Sequence, residues 1–200
     1  MRCSRCSALA RRSNSSRHGP TILVGHSYGG SIITQAGVHP NVVGLVYVAA
    51  HAPAVGENEG MLGKRMPRFT QKQTGAIKMT PDGYTYLNRA YFPADFAADL
   101  ALPQATFEAR SQILTVASVF NTPLTAAAWT SQPSWAVVAG ADKIINPDLE
   151  RWYYLRAKSH TIVLAGEPFG LRNATEGSRR SHRRSCKARG TIGDNGTSTS

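Results

Sequence analysis

Six consecutive residues are spaced for nucleophilic chemistry: Gly25-His26-Ser27-Tyr28-Gly29-Gly30. A serine hydroxyl attacks a carbonyl carbon only when it is lifted clear of its own backbone. A tight turn between a strand and a helix, with small residues around the serine, does that. Gly25 and Gly29 are expected to be glycine because side chains there would collide with the neighbouring strand and helix, and Gly30 continues the small-residue turn. The Tyr28 backbone N–H, at the start of the helix, can face a developing oxyanion. The plainer alternative is an ordinary Gly-rich turn. A phosphate-binding loop is disfavoured, because no Lys-Ser/Thr pair follows and Gly-x-Gly-x-x-Gly is absent.

The flanking sequence supplies the elements such a turn needs. Thr21-Ile22-Leu23-Val24 is a short apolar, β-prone run ended by Gly25. Residues 28 to about 37 fit a helix with Ile32, Ile33 and Ala36 on one side. His39-Pro40-Asn41 reads as a turn, and Val42–Ala50 as a strand buried on both faces of a parallel sheet. The texture then changes over 51–133. Residues 56–79 are polar and read as a loop, 84–100 mix aromatics with Ala and Asp, and 104–120 have helical spacing through Phe107, Ile113, Leu114 and Ala117. Residues 135–140 are a further strand, 147–158 a helix and 161–166 a last strand. The expected class is α/β: a mostly parallel sheet of about four strands with a helical, lid-like insertion at 51–133.

At this point the chain resembles the α/β-hydrolase family, and within it small bacterial esterase-like members related to plant salicylate-ester esterases and hydroxynitrile lyases. The resemblance runs from Gly19-Pro20 through Thr21-Ile22-Leu23-Val24 and the Gly25–Gly30 turn. It continues in Val46-Tyr47-Val48-Ala49-Ala50 with Pro53 and Gly56, and in Gln132-Pro133-Ser134-Trp135. It covers about residues 19–166 and implies a partial α/β-hydrolase fold. It also implies a serine nucleophile with a His base and an Asp orienter in the order Ser, Asp, His. Ser27 is then the nucleophile. Asp142, just past the 135–140 strand, takes the acid position, where a carboxylate would fix the base's tautomer; a loop or helix-capping Asp is the alternative. Asp148 reads instead as a first-turn helix residue. The implied reaction is ester hydrolysis of a small, mostly apolar substrate. Tyr84, Tyr86, Tyr91, Phe92 and Trp129 of the insert are expected to line the pocket, or to be ordinary lid core.

The implied histidine is missing from its place after the last strand. His160 precedes that strand, His26 points away from the nucleophile to pack or hydrogen-bond, His51 follows Val42–Ala50 and can approach the site, and His182 lies in a basic tail. Read one nucleotide out of frame, with permitted codons, residues 166–179 become A-S-H-S-V-Y-E-T-Q-P-K-V-A-A. That string restores a Ser-His pair where the resemblance needs it, so a frame-shifted C-terminus is expected. An N-terminal truncation is expected too, since the family's preceding strands and its second oxyanion loop have no counterpart. Activity is accordingly expected to be weak or lost.

Charge sorts the chain the same way. Of the net +11, residues 1–19 carry +5, residues 167–200 carry +4, and the stretch between them only +2. The domain is therefore expected at 20–166, between two disordered basic tails. Cys3, Cys6 and Cys186 are all in the tails, so no disulfide framework holds the core. Cys3-Ser4-Arg5-Cys6 lacks a second ligand pair, and no metal or cofactor is expected. The alternative function, a non-catalytic polyanion binder, would use Arg179, Arg180, Arg183, Arg184, Lys187 and Arg189. No specific nucleic acid and no membrane partner is expected, since no apolar run nears the roughly 20 residues of a span. A cytoplasmic location is expected, because the basic N-terminus has no apolar run behind it to support reading it as a secretory signal. The Thr21–Val24 strand is expected to be an apolar sheet edge through which the chain self-associates.

Overall fold

The computed structural model describes residues 19–66 and 75–166. In chain order the elements are β1 (Thr21–Ser27), α1 (Gly29–Ala36), β2 (Val42–Ala50), α2 (Glu59–Arg65), β3 (Ile77–Met79), β4 (Tyr84–Leu87), α3 (Phe92–Asp95), α4 (Leu102–Arg110), β5 (Thr115–Val116), β6 (Ser134–Ala139), α5 (Pro147–Arg156) and β7 (His160–Leu164). Two short 3-10 turns, Ala117–Asn121 and Ala128–Thr130, lie between β5 and β6.

The main sheet has the order β1-β2-β6-β7, and every neighbouring pair is parallel. Parallel neighbours need a crossover, and α1 and α5 supply the two that are helical. Both helices pack on one face. Ile33 of α1 and Leu149, Tyr153 and Tyr154 of α5 share a core with Leu45, Tyr47, Ala136 and Val138 of the sheet. α5 begins with Asn146, whose Oδ1 accepts from the Asp148 N–H, and Pro147 holds the first helical position. At its other end Arg156 donates to Glu57 Oε1 (2.7 Å) and to the Ala52 carbonyl (3.0 Å), tying α5 to the segment after β2.

The opposite face of the sheet carries Ile22 and Val24 of β1, Trp135 of β6, and Ile162 and Leu164 of β7, all exposed. Val24 is 65% and Ile22 56% accessible. Among the described strands β1 is an edge strand, as expected, though it runs three residues further than the apolar run, through Gly25 to Ser27.

The insert departs most from expectation. It holds a second sheet, antiparallel, in the order β3-β4-β5. The polar stretch expected to be a loop contains α2, capped by Asn58 Oδ1 accepting from the Met61 N–H (2.8 Å), and then β3. The helix expected over 104–120 stops at Arg110, where Gln112 turns back to bond both the N–H and the carbonyl of Leu87. Ile113 and Leu114 are therefore exposed rather than on a helical core stripe. In α1 the fully buried positions are Gly30, Ser31, Ile33 and Thr34, not Ile32 and Ala36. The buried hydroxyls are satisfied: Ser31 bonds Glu59, and Thr34 bonds the Tyr47 hydroxyl. A pattern built on apolar spacing does not register them.

Candidate active site

Ser27 ends β1 with φ +52°, in the left-handed region that a side chain rarely occupies. It is followed by Tyr28 at the N-terminal boundary of α1, a helix with no side-chain cap, so the turn joins strand to helix directly. The glycines around it have different reasons. A β-carbon on Gly25 would come within 2.5 Å of the Gly29 carbonyl oxygen and 2.8 Å of the Gly30 nitrogen. One on Gly30 would run into the His51 carbonyl oxygen. Gly29 corrects the expectation, because a β-carbon there meets nothing within 4 Å. The helix starts at this residue and its Cα faces open space. The turn is also pinned from just past β2, where the His51 N–H donates to the Ser27 carbonyl (3.2 Å).

Ser27 and Tyr28 line a cavity of about 720 Å³. Its wall is largely apolar: Ile77, Leu87, Phe92, Phe96, Ile113, Phe120, Ile144 and Ile145, with Tyr86 beside them. Phe120 meets the Tyr28 ring edge-on at 5.3 Å. Of the five aromatics expected on this wall, Tyr86 and Phe92 are there. Tyr84, Tyr91 and Trp129 are elsewhere: Tyr91 is exposed, and Trp129 packs on the main core and donates from Nε1 to the Pro53 carbonyl.

One side of the cavity is polar. His51 and Glu59 are both buried and both line it. The Ser31 hydroxyl donates to Glu59 Oε1 (2.5 Å), His51 Nε2 lies 3.4 Å from Glu59 Oε2, and His51 Nδ1 lies 3.2 Å from the Tyr153 hydroxyl. This chain joins α1, the end of β2, the first residue of α2 and the middle of α5. The sequence singled out His51 but not Ser31, Glu59 or Tyr153. Their only sequence signal is the position of Ser31 one helical turn after the nucleophile.

The other histidines lie apart or are packed. His160 opens β7, pairs with Trp135 at the start of β6, and stacks on that ring at 6.1 Å. His39 precedes β2. Both are at the N-terminal ends of the strands, whereas Ser27 is at a C-terminal end. The His26 ring packs against Phe96 at 6.2 Å. His182, the tail cysteines and the basic tails lie outside the described residues.

Asp142 follows the C-terminal end of β6 and is buried. Its Oδ1 accepts from the Ile144 N–H (2.6 Å) and the Ile145 N–H (2.9 Å), so the carboxylate organises the loop whose isoleucines form the cavity wall. Behind it lies Glu150 of α5, also buried, with Oε2 accepting from the Ala139 N–H (3.3 Å). Burial first, then the nearby Asp142 charge and a hydrogen bond with Asp142, push the Glu150 carboxyl up to about 10. Nothing in the sequence singled it out; it shares the buried side of α5 with Leu149, Tyr153 and Tyr154. Asp148, by contrast, is a first-turn residue paired with Arg151 (2.8 Å), as expected.

Among the described residues no group of three or more His, Cys, Asp or Glu is placed to hold a metal ion. None of the described helices is long and apolar enough to cross a membrane.

Several solved structures share this architecture. An extracellular alpha/beta-hydrolase from a Paenibacillus species, described as sharing structural and functional homology with tobacco salicylic acid binding protein 2, is 18% identical. It superposes with a TM-score of 0.64 over 82% of this chain and 70% of that one. A pyrethroid hydrolase from Sphingobium faniae is 20% identical, with a TM-score of 0.62 over 81% and 68%. Polyneuridine aldehyde esterase is 12% identical, with a TM-score of 0.63 over 80% and 69%. At such identities the likeness speaks for the fold. No curated protein sequence matches the chain. The sequence model of one family matches residues 4–170, most of the chain, and with the parallel sheet and the turn at Ser27 it places this protein in the alpha/beta hydrolase family.

Proposed function

We propose that the site performs serine-type ester hydrolysis on a small, mostly apolar ester. The observation that supports this most is Ser27 itself, held at φ +52° on a strand–helix turn and opening into a largely apolar cavity. In this reading the Ser27 hydroxyl adds to the ester carbonyl and its proton passes to a base. The oxyanion is met by the Tyr28 N–H at the head of α1; as it collapses the ester C–O bond breaks and the base hands its proton to the leaving alcohol. Water then cleaves the acyl-serine to release the acid and free Ser27. Asp142 is the acid that orients the base. The cavity falls within the usual range for small-molecule sites, ~300–1,000 Å³. The apolar wall would hold the acyl and alcohol groups by burial rather than by charge.

Turnover is expected to be slow. His51 is the described histidine that lines the cavity with Ser27, and its ring nitrogens face Tyr153 and Glu59. A ring so held must turn before it takes a proton from Ser27. A fluorophosphonate probe tests the reading. Covalent labelling mapped to Ser27 and lost in Ser27→Ala is the expected result; labelling that is absent, or undiminished in the variant, would overturn it.

A further inference from the structure

A carboxyl group taken wholly out of water must meet a cation, gather hydrogen-bond donors or keep its proton. Glu150 is 0% exposed. Its neighbour Arg151 turns its guanidinium to Asp148 at the surface. The Tyr154 hydroxyl, also close to Glu150, donates to the Ala50 carbonyl (2.8 Å). That leaves Asp142 as the group facing Glu150, and it is another carboxyl. The two oxygens of Glu150 are not equivalent. Oε2 accepts the Ala139 N–H, whereas Oε1 is buried and receives no donor. Asp142 Oδ1 takes two backbone N–H groups, which favours charge on Asp142 and leaves the shared proton to Glu150.

We propose that Glu150 is a positioning residue: a neutral carboxylic acid whose Oε1–H donates to the Asp142 carboxylate and holds that carboxylate against the end of β6. Glu150 touches no substrate. Its role rests on the reading of Asp142 as the acid of the site. The orphan oxygen is thereby satisfied, and Asp142 is fixed from two sides, by the loop of Ile144 and Ile145 and by α5. One buried proton thus couples the helix packing to the orientation of the acid.

The test uses the full chain. Infrared spectra at pH 7 should contain a neutral carboxylic-acid carbonyl band that disappears in Glu150→Gln and shifts in Asp142→Asn, where the charged acceptor is lost. A wild-type spectrum without that band, or a band untouched by both substitutions, overturns the proposal. Fluorophosphonate labelling of Ser27 supplies the second readout. Glu150→Gln keeps an N–H donor and a carbonyl acceptor and should label within about threefold of wild type. Glu150→Leu should fall about tenfold or more, the effect of one hydrogen bond to a charged group. Equal labelling by all three proteins refutes the positioning role. If Glu150→Leu does not fold, the band and its shift in Asp142→Asn decide the matter. Failure of the Ser27 reading is distinct: wild type would then go unlabelled while the carboxylic-acid band remained.

Discussion

A side chain at positive φ costs about 1–3 kcal/mol, and Ser27 bears that cost because its surroundings leave the turn no alternative. The hydrogen bond from His51 N–H and the close approach of Gly25 to the Gly29–Gly30 backbone fix the path on both sides of the residue. Glu150 stores energy in a different form. Its proton is bound far more tightly in the fold, where burial raises its pKa to about 10, than in the unfolded chain. Its contribution to stability is complete below the unfolded value near 4.5 and declines as pH rises toward 10. Asp142, Arg151 and Tyr154 are the charged and titratable groups beside it. Wild type should therefore lose stability relative to Glu150→Gln between pH 5 and 9, by up to about 1.4 kcal/mol per pH unit for one proton. Urea denaturation at several pH values measures this; parallel curves for the two proteins would exclude it. Ser27 was legible in sequence because three glycines surround it at fixed offsets. Glu150 and Glu59 were not, because a buried acid looks like any surface acid until its neighbours in space are known.

The element that carries the site is the strand–turn–helix from β1 into α1, and the glycines two residues before and two residues after Ser27 make a contrast that can be measured. Gly25→Ala places a methyl group against backbone atoms that cannot rotate away, so a loss of about 1–3 kcal/mol or more is expected. Gly29→Ala meets open space, and alanine favours a helix over glycine by up to about 1 kcal/mol, so it should be neutral or mildly stabilising. Equal losses in thermal or urea unfolding would contradict this account of the turn. The long parallel strands and α5 could be read from sequence because each is a continuous apolar run or carries its own cap. β2 matches the expected residues from end to end. The insert could not be read so well. α2 is seven residues with Leu62 as its buried apolar residue, and β3 is three exposed residues, so neither offers enough periodicity to be recognised. Their existence depends on partners: Ser31 and His51 for the first residue of α2, and β4 for β3.

Across the molecule, the two helices of the main sheet lie on one face, and the other presents Ile22, Val24, Trp135, Ile162 and Leu164. Such a face beside the open edge of β1 favours association with a second copy, and we propose that the chain self-associates there. Val24→Lys places a charge on both the face and the edge. It should shift light-scattering mass toward the monomer at concentrations where wild type is larger; a wild type monomeric throughout would refute the proposal. The main sheet has a further consequence, for how the chain comes together. β1-α1-β2 and β6-α5-β7 each close within about thirty residues; within the sheet they meet along β2 and β6, where Leu45 faces Ser134 and Val48 faces Val137, and α5 packs across that seam with the Tyr154 hydroxyl on Ala50. The sheet is thus two short-range halves joined at a single long-range seam, and everything between residues 50 and 134 is the loop that the seam must close. Loop-closure entropy grows only logarithmically, about 0.6 kcal/mol for each doubling of length. The roof of the cavity can therefore lengthen, shorten or be rebuilt at little cost to the frame that holds Ser27.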